Sequence, residues 1–326
     1  MTNGSGVLVT GGAGFIGSHV VDRLMAAGHD VGVLDNFTTG DTRNLAKHLS
    51  RRIAIHHVDI RDYDAVRKVV GEYGSVIHQA ALVSVARSVE DPGLVNDVNV
   101  TGTLNLLRAS VEFKIDRFVY ASSSSVYGDT ETLPKRESMN TVPSSPYGAS
   151  KLAAENYCRV FAKVYGLETV SLRYFNVYGP RQKGGFYSGV IPAFIRCASE
   201  GKAPTVYGDG LQTRDFTYVE DVVDANILSL TSPVVKGGEV YNIAGGTMVS
   251  INELAAMVTS MFDRPDLEPV HAEPRKGDIR ASYADVSRAH LGLGYRAKFS
   301  LSKGLEETVA WFSGQRHEEG LQRPAI

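Results

Sequence analysis

A chain of 326 residues with 43% hydrophobic and 21% charged residues holds enough apolar material for one large core, or one core and a smaller lobe. Its 34 basic and 36 acidic residues leave a net charge of −2, without the basic excess that phosphate-backbone binding favours, so no nucleic-acid partner is expected. No apolar run approaches the roughly 20 residues that cross a bilayer, so no membrane partner and a cytoplasmic location are expected.

The chain opens on a β-branched run, Val7 to Thr10, that leads into Gly11-Gly12-Ala13-Gly14-Phe15-Ile16-Gly17 and then an amphipathic helix, Phe15 to Ala27. Glycines between a first strand and a first helix permit a tight turn, let a pyrophosphate approach the backbone and let helix and strand pack closely. The helix N-terminus offers free N–H groups and a positive dipole end. Both a GxGxxG register (Gly12, Gly14, Gly17) and a GxxGxxG register (Gly11, Gly14, Gly17) fit. The next run, Val31 to Asp35, ends on a carboxylate 18 residues after Gly17. A carboxylate there accepts ribose hydroxyls and repels a 2′-phosphate, which favours NAD over NADP. Arg43, the nearest downstream cation, is read as solvated.

Strand-like runs at Ile53 to Val58, Val76 to Gln79, Phe118 to Ser122 and Thr169 to Leu172 then alternate with helical patterns at Tyr63 to Tyr73, Asn99 to Phe113 and Tyr147 to Tyr165. This alternation predicts an α/β fold with a doubly wound parallel sheet of Rossmann type. After Val177 the alternation weakens. Helical patterns remain at Val190 to Glu200, Val219 to Thr231, Ile251 to Met261 and Ser302 to Phe312, and the polar end from Gly314 is expected to fray. We read residues 1–176 as the dinucleotide-binding domain and 177–326 as mainly a smaller mixed α/β substrate lobe, with a soft boundary and the chain free to weave back to the sheet. Cys158 and Cys197 read as small hydrophobes in helices. His56 and His57 read as structural, and no metal is expected.

Tyr147-Gly148-Ala149-Ser150-Lys151 opens a helix, and i, i+4 spacing puts phenol and ammonium on one face. A free tyrosine with a pKa near ~10 is a poor base at neutral pH, and a neighbouring cation favours the phenolate. The strand before it ends in Ser122-Ser123-Ser124-Ser125-Val126-Tyr127-Gly128, at the sheet edge where ligands of such folds bind. A hydroxyl there can shuttle the reacting proton; Ser125 is read as loop chemistry.

The glycine turn, Ser122 to Gly128, Tyr147 to Lys151 and the run Arg173-Tyr174-Phe175-Asn176-Val177-Tyr178-Gly179-Pro180 together resemble extended short-chain dehydrogenase/reductases acting on nucleotide sugars. Within these the chain is most similar to UDP-glucose/UDP-galactose 4-epimerases, particularly the branch that also accepts N-acetylated sugars, from Gly6 to Phe312. The resemblance implies catalysis by Ser123, Tyr147 and Lys151. It implies NAD contacts at Gly11, Gly14, Phe15, Ile16, Gly17, Asp35, Asn36, Asp59, Ile60, Ala80, Ala81, Asn99, Ser122, Tyr147, Lys151 and Tyr174. For the UDP-sugar it implies Ser84, Ser123, Tyr147, Asn176, Gln182, Val190, Tyr207, Arg214, Arg275, Asp278 and Ser282.

Chemistry supports the two arginines, because guanidinium groups recognise a pyrophosphate with planar, multidentate bonds. Structural roles compete: Tyr207 in a core, Arg214 paired with Asp215 or Asp221, Ser282 on a solvent-facing strand. Dehydratases of this resemblance carry an Asp-Glu pair where Ser124 and Ser125 stand, and decarboxylating members a glutamate in that stretch; UDP-glucuronate 4-epimerization stays open. A non-catalytic NAD-binding sensor would lack the Tyr-Lys pair. The resemblance also implies a homodimer through the helices Asn99 to Phe113 and Tyr147 to Tyr165. Leu152, Tyr157, Val160, Phe161 and Val164 could form the face of the second helix, or equally pack on the chain's own sheet.

Overall fold

In the computed structural model, which describes residues 6–50, 53–183, 189–274 and 279–321 (side chains to residue 314), the β-branched runs become strands of one parallel sheet. They are β1 (Val7–Thr10), β2 (Val31–Asp35), β3 (Ala54–His57), β4 (Ser75–His78), β5 (Arg117–Ser123) and β6 (Thr169–Tyr174). A seventh, the edge strand Glu239–Ile243, pairs with β6 in parallel register, Glu239 opposite Val170 and Ile243 opposite Tyr174. The order is edge strand, β6, β5, β4, β1, β2, β3. Its reversal beside β1 opens the crevice at a topological switch point.

Parallel strands need both faces covered, and the alternation of side chains supplies two cores. Val7 and Val9 of β1 join the core with Val20, Val21 and Leu24 of α1 (Phe15–Ala26) and with Val222 and Val223 of the helix Val219–Thr231. Leu8 faces the other core, with Val66, Leu106, Phe118, Cys158 and Phe161. The chain past residue 177 therefore returns twice to the sheet, with that helix and with the edge strand.

The remaining elements form a smaller mixed group. The helix Val190–Ser199 packs with Ile251–Ser260, which starts at a capping box in which Ser250 accepts the Glu253 N–H and Glu253 accepts the Ser250 N–H. Thr205–Tyr207 pairs with Val270–Ala272, and Thr213–Asp215 pairs antiparallel with Met248–Ser250. The helix expected at Asn99 to Phe113 begins as a wider π turn, Asp97–Thr101, before Gly102–Glu112. The last helix, Leu301–Leu321, continues beyond the expected stop at Phe312 into the segment from Gly314 expected to fray. Among the described residues no helix is long and apolar enough to cross a membrane.

Candidate active site

The glycine turn is dictated by space. Gly11 adopts φ +67°, and a Cβ there would lie 2.7 Å from the Ala80 nitrogen; a Cβ on Gly17 would lie 2.1 Å from the Gly11 carbonyl oxygen. A Cβ on Gly12 would lie 2.9 Å from the Val33 side chain, so the turn uses the glycines of both registers, with the positive φ falling on Gly11. Gly14 caps α1 without a side-chain bond, and no acid stands in the first turn, so the positive helix end opens into a cleft of about 400 Å³. The predicted Gly11, Gly14, Phe15, Ile16, Gly17, Asp35, Asn36, Asp59, Ile60, Ala80 and Ala81 all line it. A cradle that a Cβ would fill, beside an uncapped helix end, fits a dinucleotide pyrophosphate.

Asp35 is buried at the end of β2, and each oxygen takes one backbone amide, from Ala13 at 3.0 Å and Phe37 at 2.8 Å. Burial pushes its pKa up against those two bonds. A carboxylate has about four acceptor positions, so capacity for ribose hydroxyls remains. Arg43 is held by Asp41 through bonds of 3.2, 3.2 and 2.8 Å. Asp59 lies well below the usual carboxylate range because Arg61 grips it at 2.9 and 2.8 Å, and Asn36 adds a bond of 3.0 Å.

Behind this wall His78 is buried, and burial lowers its pKa to about 3, so the ring is neutral. The Thr103 hydroxyl donates to the Asn99 carbonyl at 2.6 Å and so accepts from His78 Nε2 at 2.9 Å. Nδ1 then accepts from the Thr10 hydroxyl at 2.7 Å. The Asn99 amide, expected at the cofactor, instead accepts the Leu82 N–H at 2.8 Å and donates to the Leu82 carbonyl and Ser150 hydroxyl, both at 3.0 Å. It joins the cleft wall to the catalytic helix.

That helix, Pro146–Tyr165, begins where Ser145 accepts the Gly148 N–H and Pro146 occupies the first turn. Ser123, Tyr147 and Lys151 all lie in the interior, each at most 8% exposed, with Tyr147 and Lys151 one helical turn apart. Ser123 hydrogen-bonds the Tyr147 phenol and lowers its pKa, but burial outweighs that bond and the phenol lies above its ordinary value. Lys151 packs its ammonium 4.7 Å from the centre of the Tyr120 ring, and burial brings it down to about 7. Desolvation thus opposes the charged forms of both the phenol and the ammonium. Ser122 points to the opposite face of β5, where its hydroxyl donates to Glu155 at 2.7 Å.

Tyr174 lies beside this centre, with its hydroxyl in a closed set with Gln79 (3.0 Å) and Asn226 (2.8 Å) that sequence reasoning missed. In the smaller group, Ser84 caps the helix Val85–Glu90, and Asn176, at φ +31°, donates to the Asp215 carbonyl at 3.1 Å. Gln182 donates to the Val177 carbonyl at 3.1 Å, and its buried Oε1 has no partner among the described residues. Val190 starts its helix, and Tyr207 is 38% exposed at a strand end and so no core residue. Arg214 donates to the Thr213 carbonyl at 2.8 Å. Neither acid proposed to pair it does so. Asp215 accepts the amides of Gly246 and Ala284 at 3.1 and 3.3 Å, and Asp221 those of Lys298 and Phe299 at 2.8 and 3.4 Å. Ser282, expected at the sugar with a solvent-facing strand as the competing reading, is buried, which removes the competing reading, and its N–H donates to the Thr213 carbonyl at 3.1 Å. Arg275 and Asp278 lie outside the described residues. Among the described residues no group of three His, Cys, Asp or Glu could hold a metal.

Comparison with known proteins agrees with this geometry. A family model described as the NAD dependent epimerase/dehydratase family matches residues 7–244. The UDP-glucose 4-epimerase of Mycolicibacterium smegmatis is 38% identical over 308 residues, 94% of this chain and 97% of that protein. The structure of a UDP-N-acetylglucosamine 4-epimerase from Methanobrevibacter ruminantium, in complex with UDP-N-acetylmuramic acid, matches with a TM-score of 0.90 at 38% identity, covering 96% and 100% of the two chains. That of the Thermus thermophilus UDP-glucose 4-epimerase with NAD matches with a TM-score of 0.86 at 39% identity, covering 94% and 99%. With a family model spanning most of the chain and relatives aligned end to end, the protein belongs to the NAD dependent epimerase/dehydratase family, on the extended short-chain dehydrogenase/reductase fold.

Proposed function

We propose that this enzyme is a nucleotide-sugar 4-epimerase that interconverts UDP-glucose with UDP-galactose, and UDP-N-acetylglucosamine with UDP-N-acetylgalactosamine. The observation that carries it is Ser123, at the C-terminal end of β5, hydrogen-bonded to the Tyr147 phenol, with buried Lys151 one turn further along the same helix. NAD, held by the turn and Asp35, supplies a hydride acceptor and donor for the sugar's C4. Tyr147 Oη takes the proton of the 4-hydroxyl and later returns it, with Ser123 Oγ hydrogen-bonding the reacting oxygen. Lys151 adds a positive charge that favours the phenolate when it is protonated. Arg214, with Arg275, grips the UDP pyrophosphate, so the 4-keto sugar turns over while its nucleotide stays in place. Ser124 and Ser125 provide no acid and base pair for water elimination, which supports epimerization over dehydration.

The protein acts as a cytoplasmic homodimer in this proposal. Support comes from Tyr157, Val160 and Val164, which stay exposed on the catalytic helix, and from exposed Val85 and Val89 on the adjoining helix Val85–Glu90. Leu152 and Phe161 pack inward instead, and Gly102–Glu112 exposes no large apolar side chain.

The test is incubation of the purified chain with each of the four UDP-sugars, separating epimers by chromatography. Formation of the C4 epimer from UDP-galactose is expected; a 4-keto-6-deoxy product, or no turnover of any of the four, overturns the proposal. Reconstitution with NADP in place of NAD is expected to give little activity, because Asp35 repels a 2′-phosphate.

A further inference from the structure

Four charged side chains line the cleft: Asp35, Asp59, Arg61 and Arg87. Three have partners within the chain. Asp59 and Arg61 hold each other at 2.9 and 2.8 Å, and Asp35 takes the amides of Ala13 and Phe37. Arg87 is different. It stands, half-buried, on the short helix Val85–Glu90, whose start is fixed by the Ser84 hydroxyl accepting the Arg87 N–H at 3.1 Å. Among the described residues no carboxylate pairs with its guanidinium, and Leu82, Val83, Leu94 and Val98 line the same cleft.

We propose that Arg87 is a cofactor-binding residue, holding the dinucleotide pyrophosphate from the wall that follows β4 while the α1 N-terminus holds it from the glycine turn. The inference rests on the assignment of this cleft to NAD. A half-buried cation gives up hydration without a counter-charge, and a bound dianion restores the balance. The planar guanidinium matches two phosphate oxygens at once, which an ammonium does not. The arrangement is also economical in sequence. Arg61 is held by Asp59, and Lys183 reaches the Thr39 carbonyl at 2.7 Å, so among the described residues that line the cleft Arg87 is the cation without a carboxylate partner. Neither the glycine motif nor the Tyr-Lys spacing singles out this position.

The experiment uses the full chain loaded with NADH, whose fluorescence reports displacement by ADP or by adenosine. ADP carries the pyrophosphate and adenosine does not. In Arg87→Ala the inhibition constant for ADP should rise about tenfold or more, the lower end for hydrogen bonds to a charged group, while that for adenosine stays within twofold. Arg87→Gln, which keeps the length of the side chain, should lose the same factor, and Arg87→Lys should keep part of it. Raising the salt concentration should weaken ADP binding less in Arg87→Ala than in the wild type. An ADP constant unchanged within twofold in both Arg87→Ala and Arg87→Gln, or an equal rise for adenosine, overturns the assignment of Arg87. If neither compound displaces NADH from the wild type, the cleft itself is not the dinucleotide site and the inference falls with that assignment.

Discussion

Ser122 donates its hydroxyl to the Glu155 carboxylate at 2.7 Å, tying the end of β5 to the helix that carries Tyr147 and Lys151. Glu155 is fully buried and also receives the Arg173 guanidinium, at 2.9 and 2.6 Å, with that guanidinium 4.7 Å from the centre of the Tyr127 ring. Adjacent serines thus divide two tasks across the pleat of one strand. Ser122 anchors the helix from one face, and Ser123 meets the phenol on the other. Glu155→Gln leaves Arg173 charged in the interior without its counter-charge. Loss of one partner of a buried pair costs about 3–5 kcal/mol, and denaturant unfolding should show it. An unchanged midpoint would mean that water or another acid already balances Arg173.

Turnover should depend on the Tyr147 proton. Tyr147→Phe should lower kcat by at least ~100-fold while NADH binding survives. Burial raises the phenol and the Ser123 hydrogen bond lowers it, so the base is fully formed only as pH rises. Ser123→Ala removes the lowering contribution. Its acid limb in kcat/KM should therefore move to higher pH, as well as its rate falling. A limb that stays in place would separate Ser123 from the titration of Tyr147.

Lys151 gives a stability prediction with the opposite sign from an ordinary surface lysine. Its folded value, about 7, lies below the ordinary 10.5, so between these values the unfolded chain binds a proton that the folded chain does not. Stability from this group is therefore fully present above pH 10.5 and is lost as pH falls towards 7. Lys151→Met removes the effect. From pH 7 to pH 9 the cofactor-free wild type should gain stability relative to Lys151→Met in urea unfolding. Parallel pH profiles would show that Lys151 keeps its charge in the folded interior.

Asp215 and Asp221, the two acids weighed as partners of Arg214, both hold backbone. Asp215 and Asp221 accept backbone amides of residues that are distant in sequence, holding the segments around Gly246, Ala284 and Lys298. Arg214→Ala should weaken UDP binding by about 1.5–3 kcal/mol in calorimetry, the range for hydrogen bonds to charged groups. UDP affinity equal to wild type would return Arg214 to a structural role.

The parts legible in the sequence are those set by local rules. Gly11 and Gly17 follow from steric limits within one turn, and Tyr147 with Lys151 from the helical period. The runs of β1 and β2, inside the sheet and buried throughout, are near-continuously apolar because the sheet is covered on both faces there. What stayed hidden joins distant positions. The Gln79, Tyr174 and Asn226 set draws on two strand ends and a helix, and the amide acceptors of Asp215 come from loops beyond any sequence window. The edge strand had a signal: Glu239-Val240-Tyr241-Asn242-Ile243 sits between Gly237-Gly238 and Gly245-Gly246, a short β-prone run bounded by breakers. Ser122 and Ser123 look alike in a serine run, and only the pleat assigns them to different faces.

Sugar choice is the last prediction, and it concerns Ser282. The resemblance to UDP-hexose 4-epimerases implies that Ser282 stands where those restricted to plain hexoses carry a bulky tyrosine, which makes volume the issue. The structure buries Ser282 on the segment bridged to the strand of Arg214, with Ala281 opposite Thr213 and the Ser282 N–H on the Thr213 carbonyl at 3.1 Å. On the proposal that Arg214 grips the pyrophosphate, a buried serine one strand away leaves room near the sugar. An N-acetyl group at C2 needs that room in both orientations, because the ketose must rotate between oxidation and reduction. Ser282→Tyr adds a phenol that collides with the group in at least one orientation, and the larger side chain also risks overpacking worth about 1–3 kcal/mol. Selectivity separates the two effects. Loss of turnover on the N-acetylated pair, with UDP-glucose and UDP-galactose retained and UDP affinity unchanged, supports a gate at Ser282. Parallel loss on all four sugars, accompanied by a lower unfolding midpoint, assigns the position to packing, and parallel wild-type kinetics on all four places it away from the sugar.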